Sequence, residues 1–213
     1  HTVASVVGPV SDLIKELIPD VHVCHIVDET IIHDLIAKEE LSPYMRKRVC
    51  DHIVWASQNG ADAVLLTCSS ISPCADDARD LVDIPVIKID EAMARSAVAQ
   101  GGRIGVAATL RSTLEPTVAL LQAMADVADT PIQIVPRLCQ GAFEAVTAGD
   151  ADRHDQLVGN ALKQLCNETD VVVLAQASMA RVLTRLEDEW SSPILTSPRS
   201  GVERAKTILS EMN

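Results

Sequence analysis

Short apolar runs alternate with longer amphipathic segments along the whole chain. The apolar runs are rich in valine, isoleucine, leucine and alanine, and they predict buried strands at 21–27, 63–67, 86–89, 104–108, 132–135, 171–175 and 194–196. The segments between them predict helices at 41–58, 74–81, 91–100, 113–126, 154–166, 179–186 and 202–212. Strands that alternate with helices form parallel sheets covered by helices, so we expect an α/β fold.

The chain repeats its own pattern at an offset of 108 residues. Residues 60–66 align with 168–174, residues 85–87 with 193–195, and residues 25–27 with 133–135. A duplication of this length indicates two similar domains rather than a solenoid, whose repeats are shorter. We therefore predict two pseudo-symmetric domains, each a parallel sheet flanked by helices. The first comprises residues 1–100 and 198–213, and the second comprises residues 101–197.

The same offset predicts one strand that the printed sequence does not contain. The counterpart of the strand at 104–108 would lie just before His1. We expect the natural protein to have a few more residues there that form a central strand, with His1 and Thr2 in the loop that follows. A strand formed by residues 2–7 in that position would contradict this expectation.

Composition and net charge exclude some classes of binding partner. Hydrophobic residues make up 47% of the chain, aromatic residues only 2%, and the net charge is −12. An acidic protein is a poor ligand for nucleic acid or an anionic membrane surface, so we expect neither as a partner. No apolar run approaches the ~20 residues of a membrane span, and no secretory signal is visible. We expect a cytoplasmic protein.

The six cysteines form no CxxC pair. A chain with a full hydrophobic core does not need disulfides, so we expect reduced thiols. Cys68 and Cys74 lie near the end of a predicted strand, and Cys74 is interpreted as structural. The remaining four are expected to be inert hydrophobic residues: Cys24, Cys50, Cys139 and Cys166.

Polar residues follow the predicted strands at their carboxyl ends, where ligands bind in open parallel sheets. These ends are His1–Thr2, Cys68–Ser70, Thr109 and 176–178. We expect the two domains to bring them around one cleft that holds hydroxyls, backbone N–H groups and one thiol. Such donors suit a small carboxylate. Cys68 is the candidate for thiolate chemistry, with simple packing as its alternative role.

Other motifs predict no cofactor chemistry. Strand alternation places His22 and Cys24 on one face and His25 on the other, so these side chains do not converge on a metal. The glycine-rich residues 101–105 precede and enter a strand rather than following one, so they predict a turn and not a dinucleotide-binding fingerprint. The acidic residues 187–189 are interpreted as a solvated helix end.

The chain resembles the aspartate/glutamate racemase superfamily, and its hydantoin racemase branch looks closest. The order and spacing of several segments carry the resemblance, namely 1–3, 66–70, 104–109 with Thr113, 174–179 and 196–198. The resemblance implies a cofactor-independent enzyme that acts on a small carboxylate between two similar domains. It also implies a homo-oligomer, a dimer or larger.

In that superfamily two cysteines flank the α-carbon of the substrate; one removes its proton and the other returns a proton to the opposite face. By resemblance Cys68 is the first cysteine, and Gln176 occupies the position of the second. An amide has no useful acid or base function near neutral pH. The resemblance implies that the following residues bind substrate: His1, Thr67, Ser69, Ser70, Thr109, Thr113, Ala177 and Ser178.

Three readings of function therefore stay open. A racemase or epimerase is the activity that the family implies. A single-cysteine decarboxylase, or a cis–trans isomerase of a small dicarboxylate, fits the missing second cysteine. A carboxylate-binding relative without catalysis would also fit it.

Overall fold

The computed structural model describes residues 1–186 and 190–212. The predicted α/β class is confirmed: parallel sheets are flanked by helices. The helices are α1 Val7–Leu17, α2 Glu29–Lys38, α3 Pro43–Gln58, α4 Cys74–Arg79, α5 Glu91–Gln100, α6 Arg111–Ala128, α7 Ala142–Thr147, α8 Ala151–Glu168, α9 Arg181–Leu186 and α10 Ser197–Met212. The strands are β1 Val64–Leu66, β2 Val86–Lys88, β3 Gly102–Ala108, β4 Ile132–Leu138, β5 Val171–Leu174 and β6 Ile194–Thr196. The helix end expected at Glu187-Asp188-Glu189 lies outside the described residues.

The chain divides into two compact units. The first is His1–Ala92 with Pro198–Asn213, and the second is Met93–Ser197. The boundary between Ala92 and Met93 falls within α5, whereas the sequence predicted a domain boundary after residue 100. In the part of the chain that the structure describes, no helix is both long and apolar enough to cross a membrane.

The first unit contains a short parallel sheet in which β1 pairs with β2. Helix α3 begins where Ser42 accepts a hydrogen bond from the Met45 backbone N–H, with Pro43 in the first turn. Its apolar face, including Val49 and Ile53, is buried in the core of this unit. The sheet and its helices thereby fix where β1 ends, which is where the candidate thiol lies.

The strand predicted at residues 21–27 is wrong, because no regular strand is assigned there. Ladder-type hydrogen bonds reach this segment from His1, whose backbone N donates to Ile26 O and whose O accepts from Asp28 N, each at 2.9 Å. A strand needs a continuous ladder. The chain after His1 instead turns into a 3₁₀ helix at Ala4–Val6 and then into α1, so residues 2–7 form no strand either.

The second unit contains a four-stranded parallel sheet in the order β4-β3-β5-β6. Alternate residues of its central strands face opposite sides. Ile104 and Val106 pack in one core cluster, while Val172 and Leu174 pack in the other. Because β3 and β5 are neighbours with Ala107 opposite Leu174, their carboxyl ends lie side by side.

The repeat seen in the sequence is also visible in the structure. β2 at Val86–Lys88 and β6 at Ile194–Thr196 keep the offset of 108 residues. A 3₁₀ helix follows each of the equivalent strands β1 and β5, at Ser69–Ile71 and at Ala177–Ala180. The two halves therefore place Cys68 and Gln176 in the same local position, each as the residue before the 3₁₀ helix.

Candidate functional site

Cys68 directly follows Thr67 at the carboxyl end of β1. Its backbone is extended, with φ −127° and ψ 119°, and its carbonyl accepts a hydrogen bond from the Ile71 backbone N–H at 3.1 Å. The side chain is half-buried and packs partly against the core of the first unit. The thiol is thus held by packing at a strand end while keeping access to solvent.

The other cysteines differ from this half-buried thiol. Four are buried, and burial raises the pKa of each: Cys50, Cys74, Cys139 and Cys166. The pKa of Cys74 rises to about 12 and that of Cys139 to about 11. A thiol with such a pKa is not ionised near neutral pH, so these residues are unsuited to thiolate chemistry. Cys24 is exposed and lies on the segment that forms no strand.

A buried carboxyl group, Asp90, holds the turn after Cys68. Ser72 Oγ donates to Asp90 Oδ1 at 2.9 Å, and the Ser69 side chain also hydrogen-bonds to this carboxyl group. Burial raises the pKa of Asp90 despite these two hydrogen bonds. The Ser69 hydroxyl, predicted to bind substrate, is therefore engaged within the protein. Ser70 in the same turn is buried as well.

The sequence analysis missed Asp90, although one signal was available. Asp90 follows β2 just as Cys68 follows β1, and the two strands are paired in parallel. Carboxyl ends of neighbouring parallel strands meet at one edge of a sheet.

Thr67 and His1, both predicted to bind substrate, begin a chain of side-chain hydrogen bonds. Thr67 Oγ1 lies 2.7 Å from His1 Nδ1, and His1 Nε2 lies 2.8 Å from His25 Nδ1. His25 Nε2 lies 2.8 Å from Ser11 Oγ, which donates to the Val7 carbonyl at 2.8 Å. The histidine pair links α1 to the end of β1.

The Val7 carbonyl sets the direction of this chain because it can only accept. The single Ser11 hydroxyl proton goes to that carbonyl, so Ser11 accepts from His25 Nε2–H. It follows that His25 accepts from His1, and that His1 accepts the Thr67 hydroxyl proton. This direction is the one that holds for two neutral imidazoles, and in it the Thr67 hydroxyl donates to His1 Nδ1.

Asp28 fixes the segment that pairs with His1. Its carboxylate accepts from Arg48 at 2.8 Å, from His52 at 3.0 Å and from the Thr30 hydroxyl at 2.7 Å. Burial alone would raise the pKa of Asp28. The hydrogen bonds from His52 and Thr30 and the charge of Arg48 outweigh that effect, so the pKa is lowered.

Asp28→Asn is expected to destabilise the protein by about 1–2 kcal/mol at pH 7, because it leaves Arg48 without its carboxylate. A carboxyl group with a lowered pKa stabilises the fold above its unfolded-state pKa and loses that contribution as pH falls through the folded-state pKa. The difference between wild type and variant should therefore shrink in acid, below about pH 4. Urea unfolding across pH measures it. Asp51→Asn, in an exposed pair with Lys47, is the control and should cost much less, because water screens that pair.

In the second unit, the structure joins Gln176 to Thr109. Gln176 Oε1 accepts from the Thr109 backbone N–H at 2.6 Å and from the Thr109 hydroxyl at 2.9 Å. Gln176 is half-buried and precedes the 3₁₀ helix that contains Ala177, which is half-buried, and Ser178, which is exposed. Thr113 lies buried in the first turn of α6. The predicted residues of this half all lie near the carboxyl ends of β3 and β5.

The helix after this turn is also anchored. Arg181, the first residue of α9, donates to the buried carboxylate of Asp155 at 2.9 Å. Arg185, one turn later, contacts Asp155 as well. These ion pairs tie α9 to α8 and so fix the end of the turn that begins at Gln176.

The described residues offer no group of three or more His, Cys, Asp or Glu side chains that could hold a metal ion. The hydrogen bonds at both strand ends come from hydroxyl, imidazole, amide and carboxyl groups. Hydroxyl and amide groups are among the polar groups that line small-molecule sites in proteins.

The family model of the Asp/Glu/hydantoin racemases matches residues 2–205. The chain therefore belongs to the Asp/Glu/hydantoin racemase family, as the resemblance in its sequence indicated. A comparison with curated proteins found no match.

Solved structures with the same fold include racemases and a decarboxylase. Glutamate racemase from Bacillus anthracis superposes with a TM-score of 0.70 at 21% identity, covering 96% of this chain and 77% of that protein. Allantoin racemase from Pseudomonas fluorescens gives 0.65 at 15% identity, covering 100% and 88%. Arylmalonate decarboxylase gives 0.51 at 18% identity, covering 78% of each chain. At these identities the likeness shows the fold alone.

Proposed function

We propose that this protein is a cofactor-independent isomerase of the racemase or epimerase type. It acts at the α-carbon of a small carboxylate, an amino acid or a hydantoin, through the Cys68 thiolate. The observation that carries the proposal is the placement of Cys68: a half-buried thiol at the carboxyl end of a strand, in a chain whose four buried cysteines have raised pKa values. Membership in a racemase family supports it.

The proposed reaction begins with transfer of the α-proton to Cys68. The C–H bond breaks, an S–H bond forms, and the electron pair moves into the adjacent carbonyl group as an enolate. Return of the proton from sulfur regenerates the starting enantiomer. Inversion requires a proton on the opposite face, and we assign that proton to water, since Gln176 stands in place of the second cysteine and an amide is no acid near neutral pH. The hydroxide that this leaves takes the proton from the Cys68 thiol, which restores water and the thiolate.

The enolate is high in energy, so it needs preorganised hydrogen-bond donors. One well-placed donor contributes about 3 kcal/mol to such a transition state. The backbone N–H groups of the turn after β1, in the same unit as Cys68, are the proposed donors. Ser69 has a different role, because its hydroxyl hydrogen-bonds to Asp90 and holds the turn in place.

A second candidate is decarboxylation of a malonate-type substrate. The amide at Gln176 favours it, because loss of carbon dioxide creates the carbanion without a base and a single proton donor then completes the reaction. The fold likeness to arylmalonate decarboxylase is compatible with this reading. The cis–trans isomerase and the inactive carboxylate-binding relative are the remaining alternatives.

A panel incubated in heavy water separates these functions. Single enantiomers of amino acids and of 5-substituted hydantoins, together with aryl- and alkylmalonates, are followed by proton NMR, chiral chromatography and carbon dioxide release. The proposed isomerase incorporates deuterium at the α-carbon of at least one amino acid or hydantoin and erodes its optical purity.

Each other outcome identifies a different function. Carbon dioxide release from a malonate, with no exchange in the other compounds, would replace the isomerase with the decarboxylase. Isomerisation of maleate, added to the same panel, would identify the cis–trans enzyme. Inertness toward every compound would favour the binding protein.

A further inference from the structure

The contacts of Thr109 fix which way the Gln176 amide points. A backbone N–H group can only donate, so the Gln176 atom that lies 2.6 Å from the Thr109 nitrogen must be the carbonyl oxygen. The Thr109 hydroxyl donates to the same oxygen at 2.9 Å. The NH₂ group therefore lies on the other branch of the amide, and a flipped assignment would place two donors against each other.

The oxygen of this amide has all its hydrogen-bond positions occupied, whereas its NH₂ group has not. An amide oxygen accepts two hydrogen bonds, and Thr109 provides both. Within residues 1–186 and 190–212, no acceptor is hydrogen-bonded to Gln176 Nε2. Two donors into the carbonyl polarise the amide and strengthen its N–H groups as donors.

The local backbone holds this group in place. Gln176 has an extended backbone, with φ −121° and ψ 131°, and its own carbonyl accepts from the Met179 N–H at 3.0 Å. Thr109 lies on the neighbouring strand end because β3 and β5 pair in register. Donors held in this way act without reorganisation, which is the property of a site that stabilises a developing negative charge.

We propose that Gln176 is a preorganised N–H donor to an anionic oxygen of the substrate, a carboxylate or an enolate, and that Thr109 is its positioning residue. The inference rests on the proposed function only in assigning that oxygen to the substrate of a racemase-type enzyme. Gln176 then replaces the acid–base thiol with a binding group. Thr109, predicted from the sequence to bind substrate, acts through Gln176 because both of its donors are occupied.

Gln176→Glu is the sharpest variant. Glutamate has the same shape and keeps an oxygen to accept both Thr109 hydrogen bonds, but it exchanges the NH₂ group for a second, negatively charged oxygen. Gln164→Glu is the matched control, since Gln164 is an exposed glutamine of α8 in the same unit. Both variants add one negative charge, so a difference between them reports the position and not the net charge.

The test titrates the full chain with sodium malonate and, in parallel, with neutral malonamide. Two-dimensional ¹⁵N NMR follows the side-chain NH₂ signals, assigned by their loss in Gln176→Ala. We expect malonate to displace the Gln176 NH₂ signals. We expect Gln176→Ala to weaken malonate binding about 10- to 100-fold, the range for a hydrogen bond to a charged group. Gln176→Glu should weaken it more, with malonamide affected far less and Gln164→Glu binding as wild type.

Wild-type affinity for malonate in Gln176→Glu, or NH₂ signals that do not move at any malonate concentration, would overturn the inference. Failure of the proposed function has a different signature. If the protein binds malonate through Gln176 but exchanges no α-proton in any compound, the inference about Gln176 stands and the proposed isomerase activity is wrong.

Discussion

Cys68→Ser is expected to lower the turnover of the α-carbon reaction about 1000-fold. A hydroxyl ionises far less readily than a thiol, so the serine variant has almost no base to remove the α-proton. General acid–base groups contribute about 10²- to 10⁴-fold to enzymatic rates, and Cys68 is the proposed base. Serine is nearly isosteric, and the site is half-buried rather than sealed, so the fold should persist. Turnover is measured as loss of circular dichroism of one pure enantiomer.

Cys24→Ser is the matched control for this substitution. Cys24 is the exposed cysteine of the same unit, and its change to serine should leave the turnover at the wild-type value. Near-ultraviolet circular dichroism and urea unfolding of both variants check that the fold is intact. A Cys68→Ser protein that is folded and retains more than a tenth of the wild-type turnover would remove Cys68 from its proposed role.

The largest effect on stability is expected for Gly201→Ala, at about 3 kcal/mol. Gly201 lies in α10 and packs directly on the residue after β2. A Cβ at this position would lie 2.5 Å from Ile89 O and 2.6 Å from Ile89 Cγ1. The backbone oxygen cannot move without disturbing the end of β2, where the Ile89 N–H donates to Leu66 O at 2.9 Å. Overpacking of this kind costs about 1–3 kcal/mol, and the contact with backbone places it at the upper end.

Gly8→Ala isolates the steric effect from the change in helix propensity. Gly8 is also helical, in α1, but a Cβ there meets nothing within 4 Å. The alanine should therefore stabilise the protein by about 0.5–1 kcal/mol, through propensity and the smaller entropy of the unfolded chain. Urea unfolding of both variants measures the contrast. Equal effects at the two positions would show that Gly201 does not lie against Ile89 as described.

The helices and strands that were predicted well are those whose pattern of buried and exposed residues is regular from end to end. β6 at Ile194–Thr196 and α5 at Glu91–Gln100 begin and end where their patterns predict. β5 and residues 104–108 of β3 are buried on both faces, so they read as unbroken apolar runs. The composition of such strands identifies them without knowledge of their neighbours.

The first 40 or so residues were predicted poorly, for local reasons. Helix α1 contains Gly8 and Pro9 in its first turn, a pair that suggests a turn even though proline is tolerated there. Helix α2 was not predicted at all, although Asp28 caps it. The segment 21–27 has the composition of a strand but lacks the continuous ladder of hydrogen bonds that a strand requires.

For the candidate site, the sequence identified positions but not partners. The resemblance to the racemase superfamily pointed to Cys68 and Gln176 as equivalent residues, and the two lie at the repeat offset of 108 residues. The orientation of the Gln176 amide depends on the register of β3 and β5, and the anchoring of Ser69 depends on Asp90 from a separate strand. The bond between His1 and His25 likewise joins residues 24 positions apart. Such contacts are set by tertiary packing, which a pattern of residue types does not encode.

The central claim is that the Cys68 thiolate removes the α-proton of the substrate. The most direct measurement is the rate of α-deuterium incorporation in heavy water, with the compound that the panel selects, for wild type and Cys68→Ser at equal concentration. We predict exchange in the wild type and a rate about 1000-fold lower in the variant, whether or not inversion accompanies exchange. Equal exchange rates in the two folded proteins would contradict the claim.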